Sequence, residues 1–115
     1  MWVGLLSVDV LFGDVHSLKE KRSLVRPIVA ELRKRFPVSA AEVDHHELHR
    51  RAKIGISVVG SDRGFCVDVL DGSERLVVER PELEIVETRR RYLAEDDLDE
   101  EPEHDGDWRR SASRP

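Results

Sequence analysis

Apolar residues recur along this chain with two different periods, and the switches between them mark out its elements. Over residues 2–12, Leu6, Val8, Val10 and Phe12 share one side of a period-two pattern, while Val3, Leu5, Ser7, Asp9 and Leu11 share the other. A strand with two largely apolar sides belongs in the middle of a sheet. Gly13 and Asp14 then supply a turn. Ser17, with Glu20 three residues later, forms the S-x-x-E pattern that satisfies the first N–H groups of a helix. That helix is predicted to run to about Phe36, where Pro37 stops it. At about 100° per residue, Leu18, Leu24, Val25, Ile28, Val29, Leu32 and Phe36 collect in one sector. Pro27 points away from that sector and is expected to kink the helix with the proline on the solvent side.

Residues 38–43 read as a short second strand and residues 44–49 as a polar connection. In the third strand, residues 51–60, Ile54, Ile56 and Val58 alternate with Lys53, Gly55, Ser57 and Val59. Ser61 or Asp62 caps a second helix whose apolar sector holds Phe65, Cys66, Val69, Leu70, Leu76 and Val77; Gly72 weakens its middle, and Pro81 follows its end. Residues 83–92 form the last strand, with Leu83 and Ile85 in the core and Arg89, Arg90 and Arg91 towards its end. The order β-α-β-β-α-β predicts an α+β fold of the ferredoxin-like kind, a four-stranded antiparallel sheet with two helices on one face. The first and third strands are central there, and their second face stays uncovered. It would show Val3, Leu5, Ser7, Leu11, Gly55, Ser57 and Val59, of which Val3, Leu5, Leu11 and Val59 are candidate interface residues.

Charge changes this picture in one respect. The net charge of -5 is unevenly placed, with 16 Lys+Arg and 15 Asp+Glu in residues 1–93 but 3 and 9 in residues 94–115. The expectation is therefore a folded domain, 1–93, followed by an acidic disordered tail, 94–115. A nearly neutral domain can hold a polyanion only through a local patch. One such patch is present in the helical pattern: Arg22, Arg33, Arg26 and Lys19 fall between about 40° and 100° from Leu18, along one shoulder of the apolar sector. Lys21 falls inside that sector. Cations in a first helical turn run against the helix dipole. Two readings stand: a solvated shoulder whose long stems cover the core edge, or a nucleic-acid-binding surface of Lys19, Lys21, Arg22, Arg26 and Arg33 that meets phosphates.

The other chemistry narrows quickly. His45, His46 and His49, with Asp44 and Glu47, lack a recognised metal-ligand spacing and read as a polar turn that holds no metal. Cys66, the single cysteine, falls in an apolar sector and reads as a buried thiol. No catalytic or nucleotide-binding motif is present, so the expectation is a non-enzymatic protein without a cofactor. The chain contains no Asn or Gln, the usual bidentate readers of adenine, and the open face lacks stacking aromatics. RNA binding would then be directed by shape and phosphates. No apolar run approaches a membrane span and the first residues lack the features of a signal peptide, so a cytoplasmic protein with no membrane partner is expected.

Three stretches resemble the YlxP-like family of small bacterial proteins of unknown function. They are the first strand leading into Ser17-Leu18-Lys19-Glu20-Lys21-Arg22-Ser23, the segment Val38-Ser39-Ala40-Ala41-Glu42-Val43-Asp44, and the third strand leading to the second helix. The resemblance covers nearly all of residues 1–93. It implies a ferredoxin-like fold and, because genes of the family commonly sit beside translation-initiation and ribosome-maturation genes, a link to translation; with the basic stripe, the expected partner is ribosomal RNA or a ribosomal subunit. The alternative is a homodimeric interaction module that uses the open sheet face and has no nucleic-acid partner.

Overall fold

The computed structural model describes residues 1–98 of the chain. Within them run β1 (Trp2–Phe12), α1 (Leu18–Arg35), β2 (Ser39–Asp44), β3 (Arg51–Gly60), α2 (Arg63–Val78) and β4 (Leu83–Ala94), followed by a 3-10 turn at Glu95–Leu98. The sheet order is β2-β3-β1-β4 and every pairing is antiparallel. This is the ferredoxin-like α+β arrangement, with β1 and β3 central.

Alternation decides what each face does. Leu6, Val8, Val10 and Phe12 of β1, with Ala52, Ile54, Ile56 and Val58 of β3, are buried beneath the helices. Val25, Ile28, Val29 and Leu32 of α1, and Cys66, Val69, Leu70, Leu76 and Val77 of α2, complete that core. Helical period three-to-four meeting strand period two is what allows one layer of helices to cover one side of the sheet. Gly72, which costs α2 some intrinsic stability, has a packing reason: a Cβ there would lie 2.6 Å from Phe36 Cε1, so the glycine admits the ring that ends α1.

Both helix starts are capped by side chains. Ser17 Oγ accepts from the Glu20 N–H at 3.1 Å, and Asp62 Oδ1 accepts from the Phe65 N–H at 2.8 Å. The return bond from Glu20 goes to the His16 N–H at 2.9 Å, one residue before the position expected of a capping box. Helix α1 continues through Pro27, which is exposed.

Ordered structure passes the expected domain boundary at residue 93. Ala94 pairs with Trp2, its N–H donates to Asp97 Oδ2 at 2.8 Å, and the Glu95 N–H donates to Met1 O at 2.9 Å. These backbone bonds hold the start of the acidic segment against β1, so the first part of the expected disordered tail belongs to the fold. The rest of the expected tail, residues 99–115, lies outside the described residues.

Candidate nucleic-acid interface

The first turn of α1 sends neighbouring cations to opposite fates. Lys21 is 1% exposed, and its Nζ donates to His45 O at 2.9 Å and Arg51 O at 3.0 Å while lying 2.8 Å from Glu42 Oε2. The Glu42 contact is an ion pair off the hydrogen-bond direction, since Oε2 has no well-aligned donor. A buried ammonium requires such partners. Lys21 therefore leaves the candidate RNA-binding set: its position in the apolar sector reflects a structural tether from α1 to the ends of β2 and β3. Lys19, Arg22 and Arg26 are exposed and make no salt bridge among the described residues.

Arg22, Arg26 and Arg33 line a groove of about 470 Å³ between α1 and β2. Among the described residues its one carboxylate is Glu42, already paired with Lys21. Arg33 also donates from Nη2 to Ala40 O at 2.6 Å, which satisfies a carbonyl on the free side of the edge strand β2. Arg33 lines the depression on the open sheet face as well, so the stripe continues around that edge.

Register divides the open face into three bands. At one end Val59, Val3 and Leu93 lie side by side. Two rows follow, Ser39–Ser57–Leu5–Arg91 and Ala41–Gly55–Ser7–Arg89. Beyond them Lys53, Asp9 and Glu87 make a charged row. The candidate interface residues Val3, Leu5 and Val59 are thus neighbours, with Val59 64% and Leu5 41% exposed. Leu11 sits apart from them, paired with Arg51 beyond the Ser7 and Asp9 positions.

The charged end holds a cluster that sequence reasoning missed. Asp9, buried within β1, accepts two hydrogen bonds from Arg51, Nε to Oδ1 at 3.1 Å and Nη2 to Oδ2 at 3.0 Å. His45 Nε2 lies 3.4 Å from the same Oδ2. The Arg51 hydrogen bonds hold the Asp9 carboxyl below its ordinary value; burial opposes them, and the Arg51 charge and His45 reinforce them. His45 reaches this position from a left-handed backbone, φ 64°, in the β2–β3 connection that Lys21 tethers. One acidic residue inside an otherwise apolar strand was the sequence clue. Its partners lie some forty residues away and left none.

The histidines do not converge. His45 faces Asp9, the His46 ring approaches Glu42 O at 3.1 Å, and His49 is exposed. Among the described residues no group of three or more His, Cys, Asp or Glu side chains could hold a metal. Cys66 is buried, with Sγ 3.8 Å from Trp2 O.

A family model described as "Protein of unknown function (DUF503)" matches residues 3–90. The chain belongs to the DUF503 family. The chain is also similar to the uncharacterized protein YlxP of Bacillus subtilis (strain 168), with 28% identity over 91 residues, covering 79% of this chain and 99% of that relative. The family match spans most of β1 through most of β4, and so includes the α1–β2 groove, the Asp9 cluster and the two serine rows except Arg91. Among the described residues no helix is long and apolar enough to cross a membrane.

Proposed function

We propose that this protein is a non-enzymatic accessory factor of translation that holds structured RNA, in ribosomal RNA or a ribosomal subunit, through its phosphates. Arg22 and Arg26 are the main contacts, with Lys19 and Arg33 at either end. The observation that carries this reading is the α1–β2 groove, which is lined by three arginines and whose single carboxylate is taken by Lys21. Such a surface offers positive potential without the stacking aromatics or amide side chains that read bases. Binding should therefore depend steeply on salt and weakly on sequence.

Titration with a structured ribosomal RNA fragment at several salt concentrations tests it. Three or four phosphate contacts give a slope of log K against log salt of about -3, and Arg22→Ala with Arg26→Ala should reduce that slope by about 2. Absence of binding at low salt, or affinity indifferent to salt, defeats the reading. Residues 99–115 hold six acidic and three basic residues. Truncation after Leu98, which leaves the 3-10 turn at Glu95–Leu98 intact, should tighten RNA binding at low salt by removing a competing polyanion. An unchanged affinity refutes that role for the tail.

The alternative, a homodimer through the open face, draws on the exposure of Leu5 and Val59 beside Val3. The serine and arginine rows next to that band limit its apolar area. Light scattering after size exclusion separates the readings, and a strict monomer at micromolar concentration excludes the dimer.

A further inference from the structure

The middle of the open sheet face carries an arrangement that the RNA reading does not use. Arg89 and Arg91 occupy successive positions on the same face of β4, about 7 Å apart by strand geometry, so each has a like charge as its neighbour. Among the described residues the one carboxylate paired with them is Glu87, whose Oε2 lies 3.6 Å from Arg89 Nε, with Arg89 73% and Glu87 57% exposed. An ion pair that open to water contributes little. Arg90, between them, points to the helix side and shows how this chain equips an arginine that serves the fold. It bonds to Asp71 Oδ1 and Glu74 Oε1, each at 2.6 Å, and to Tyr92 Oη at 3.0 Å. Burial works against that cation, but its hydrogen bonds outweigh burial and hold the guanidinium above its ordinary value. Arg89 and Arg91 have no comparable set among the described residues.

Beside these two arginines the sheet surface is hollow. A depression of about 990 Å³ is lined by Ser7, Ser39, Ser57, Arg33, Arg89 and Arg91 together with apolar side chains, with Gly55 and Ala41 at its base and, among the described residues, no carboxylate in its lining. Its lining is mixed: Leu5, Val38 and Val43 give it apolar surface, Gly55 and Ala41 keep it low, and the three serines bring hydroxyls to it. Three donors lie between two cationic banks, β4 on one side and Arg33 on the other, about 14 Å apart across four strands. The size is that of a small-molecule site.

We propose that this depression binds a phosphorylated small molecule of nucleotide size. Its phosphates meet Arg89 and Arg91, and its neutral body lies across Leu5 and the serine floor towards Arg33. Guanidinium pairs favour planar, bidentate contact with phosphate oxygens. Hydroxyls on the floor suit a sugar better than an apolar chain does. Among the described residues no aromatic side chain lines the depression, so a base would be held there by shape. The proposal is independent of the α1–β2 groove, which uses different arginines apart from Arg33.

The test is titration of the full chain with ADP and, separately, with pyrophosphate, followed by amide chemical shifts. Saturable shifts at Ser7, Gly55, Ser57 and Arg91, with ADP binding more tightly than pyrophosphate, are expected. Arg89→Ala with Arg91→Ala should weaken ADP binding at least tenfold with an unchanged melting temperature, while Arg22→Ala with Arg26→Ala changes it less than twofold. Three results overturn the proposal: no saturable shifts in the depression, equal affinity for ADP and pyrophosphate, or equal losses in the two double variants. RNA titration of the Arg89/Arg91 variant separates the two sites, because RNA binding through the groove should survive there.

Discussion

The two faces of this sheet are made from the same four strands and alternate residue by residue, yet they obey different rules. On the helix-covered face the buried positions of the central strands are apolar, and the one buried cation at its margin, Lys21, has three oxygen neighbours. On the open face, aliphatic, hydroxyl and charged residues follow one another in bands, and Arg89 and Arg91 stand without strong partners among the described residues. Burial makes a polar group costly unless it is matched, so the covered face carries strict accounting of donors and acceptors. Exposure removes that demand. Unmatched cations and a hollow beside them are not needed by the fold, which leaves them available to the ligand we propose.

The sharpest way to test this contrast is at adjacent residues of α1. Lys21→Met leaves Glu42 and two carbonyls unpaired and should destabilise by about 3–5 kcal/mol in denaturant unfolding. Arg22→Met should stay within about 0.5 kcal/mol. Similar losses in both would remove the distinction between structural and available cations. Next in size, Ile54→Ala on the covered face should cost about 2–4 kcal/mol, whereas Ser57→Ala in the same strand should cost less than about 0.5 kcal/mol.

Glycines on opposite faces give a smaller and finer comparison. A Cβ at Gly4 would meet Leu70 Cδ1 at 2.9 Å and Val58 Cγ1 at 3.0 Å, both in the core. At Gly55 it would meet Val43 Cγ1 at 2.8 Å, but Val43 is exposed and can turn aside. Gly4→Ala should therefore cost about 1–3 kcal/mol and Gly55→Ala less than about 1 kcal/mol, as melting curves would show. The smallest effect concerns acid. Because Arg51 holds the Asp9 pKa below its ordinary value, the Asp9 contribution is present above the unfolded value of about 3.9 and is lost as pH falls through the lower folded value. Asp9→Asn should be less stable than the parent by about 1 kcal/mol at neutral pH, and the gap should close below about pH 4. A gap that widens in acid would contradict the assigned shift.

Much of this was legible from spacing. The order of elements, the Ser17 cap, the covered core and the composition of the open face follow from periods of two and 3.6 and from Pro37 and Pro81, whereas the second cap stayed open between Ser61 and Asp62 until the structure assigned it to Asp62. Long-range polar partners were not legible. Lys21 lay in the apolar sector by angle, but nothing local announces that Glu42 and the carbonyls of His45 and Arg51 would surround it. The Arg89–Arg91 run reads as one basic cluster until strand alternation sends Arg90 to the helix side and leaves its neighbours outside. Leu11 shows the opposite limit, since sharing a face with Val3 and Leu5 does not place it in their patch.

The Lys21 tether also bears on how the chain reaches its native pairing. Its ammonium loses water favourably only when α1, the end of β2 and the start of β3 are all in place, so its burial belongs to the last steps of folding. A one-residue slip between β2 and β3 would reverse the faces of the hairpin and displace the carbonyls that Lys21 requires. The tether is thus expected to disfavour misregistered hairpins. Lys21→Met should accelerate unfolding far more than it slows folding, and its refolded population should tolerate misaligned hairpins that the parent chain rejects.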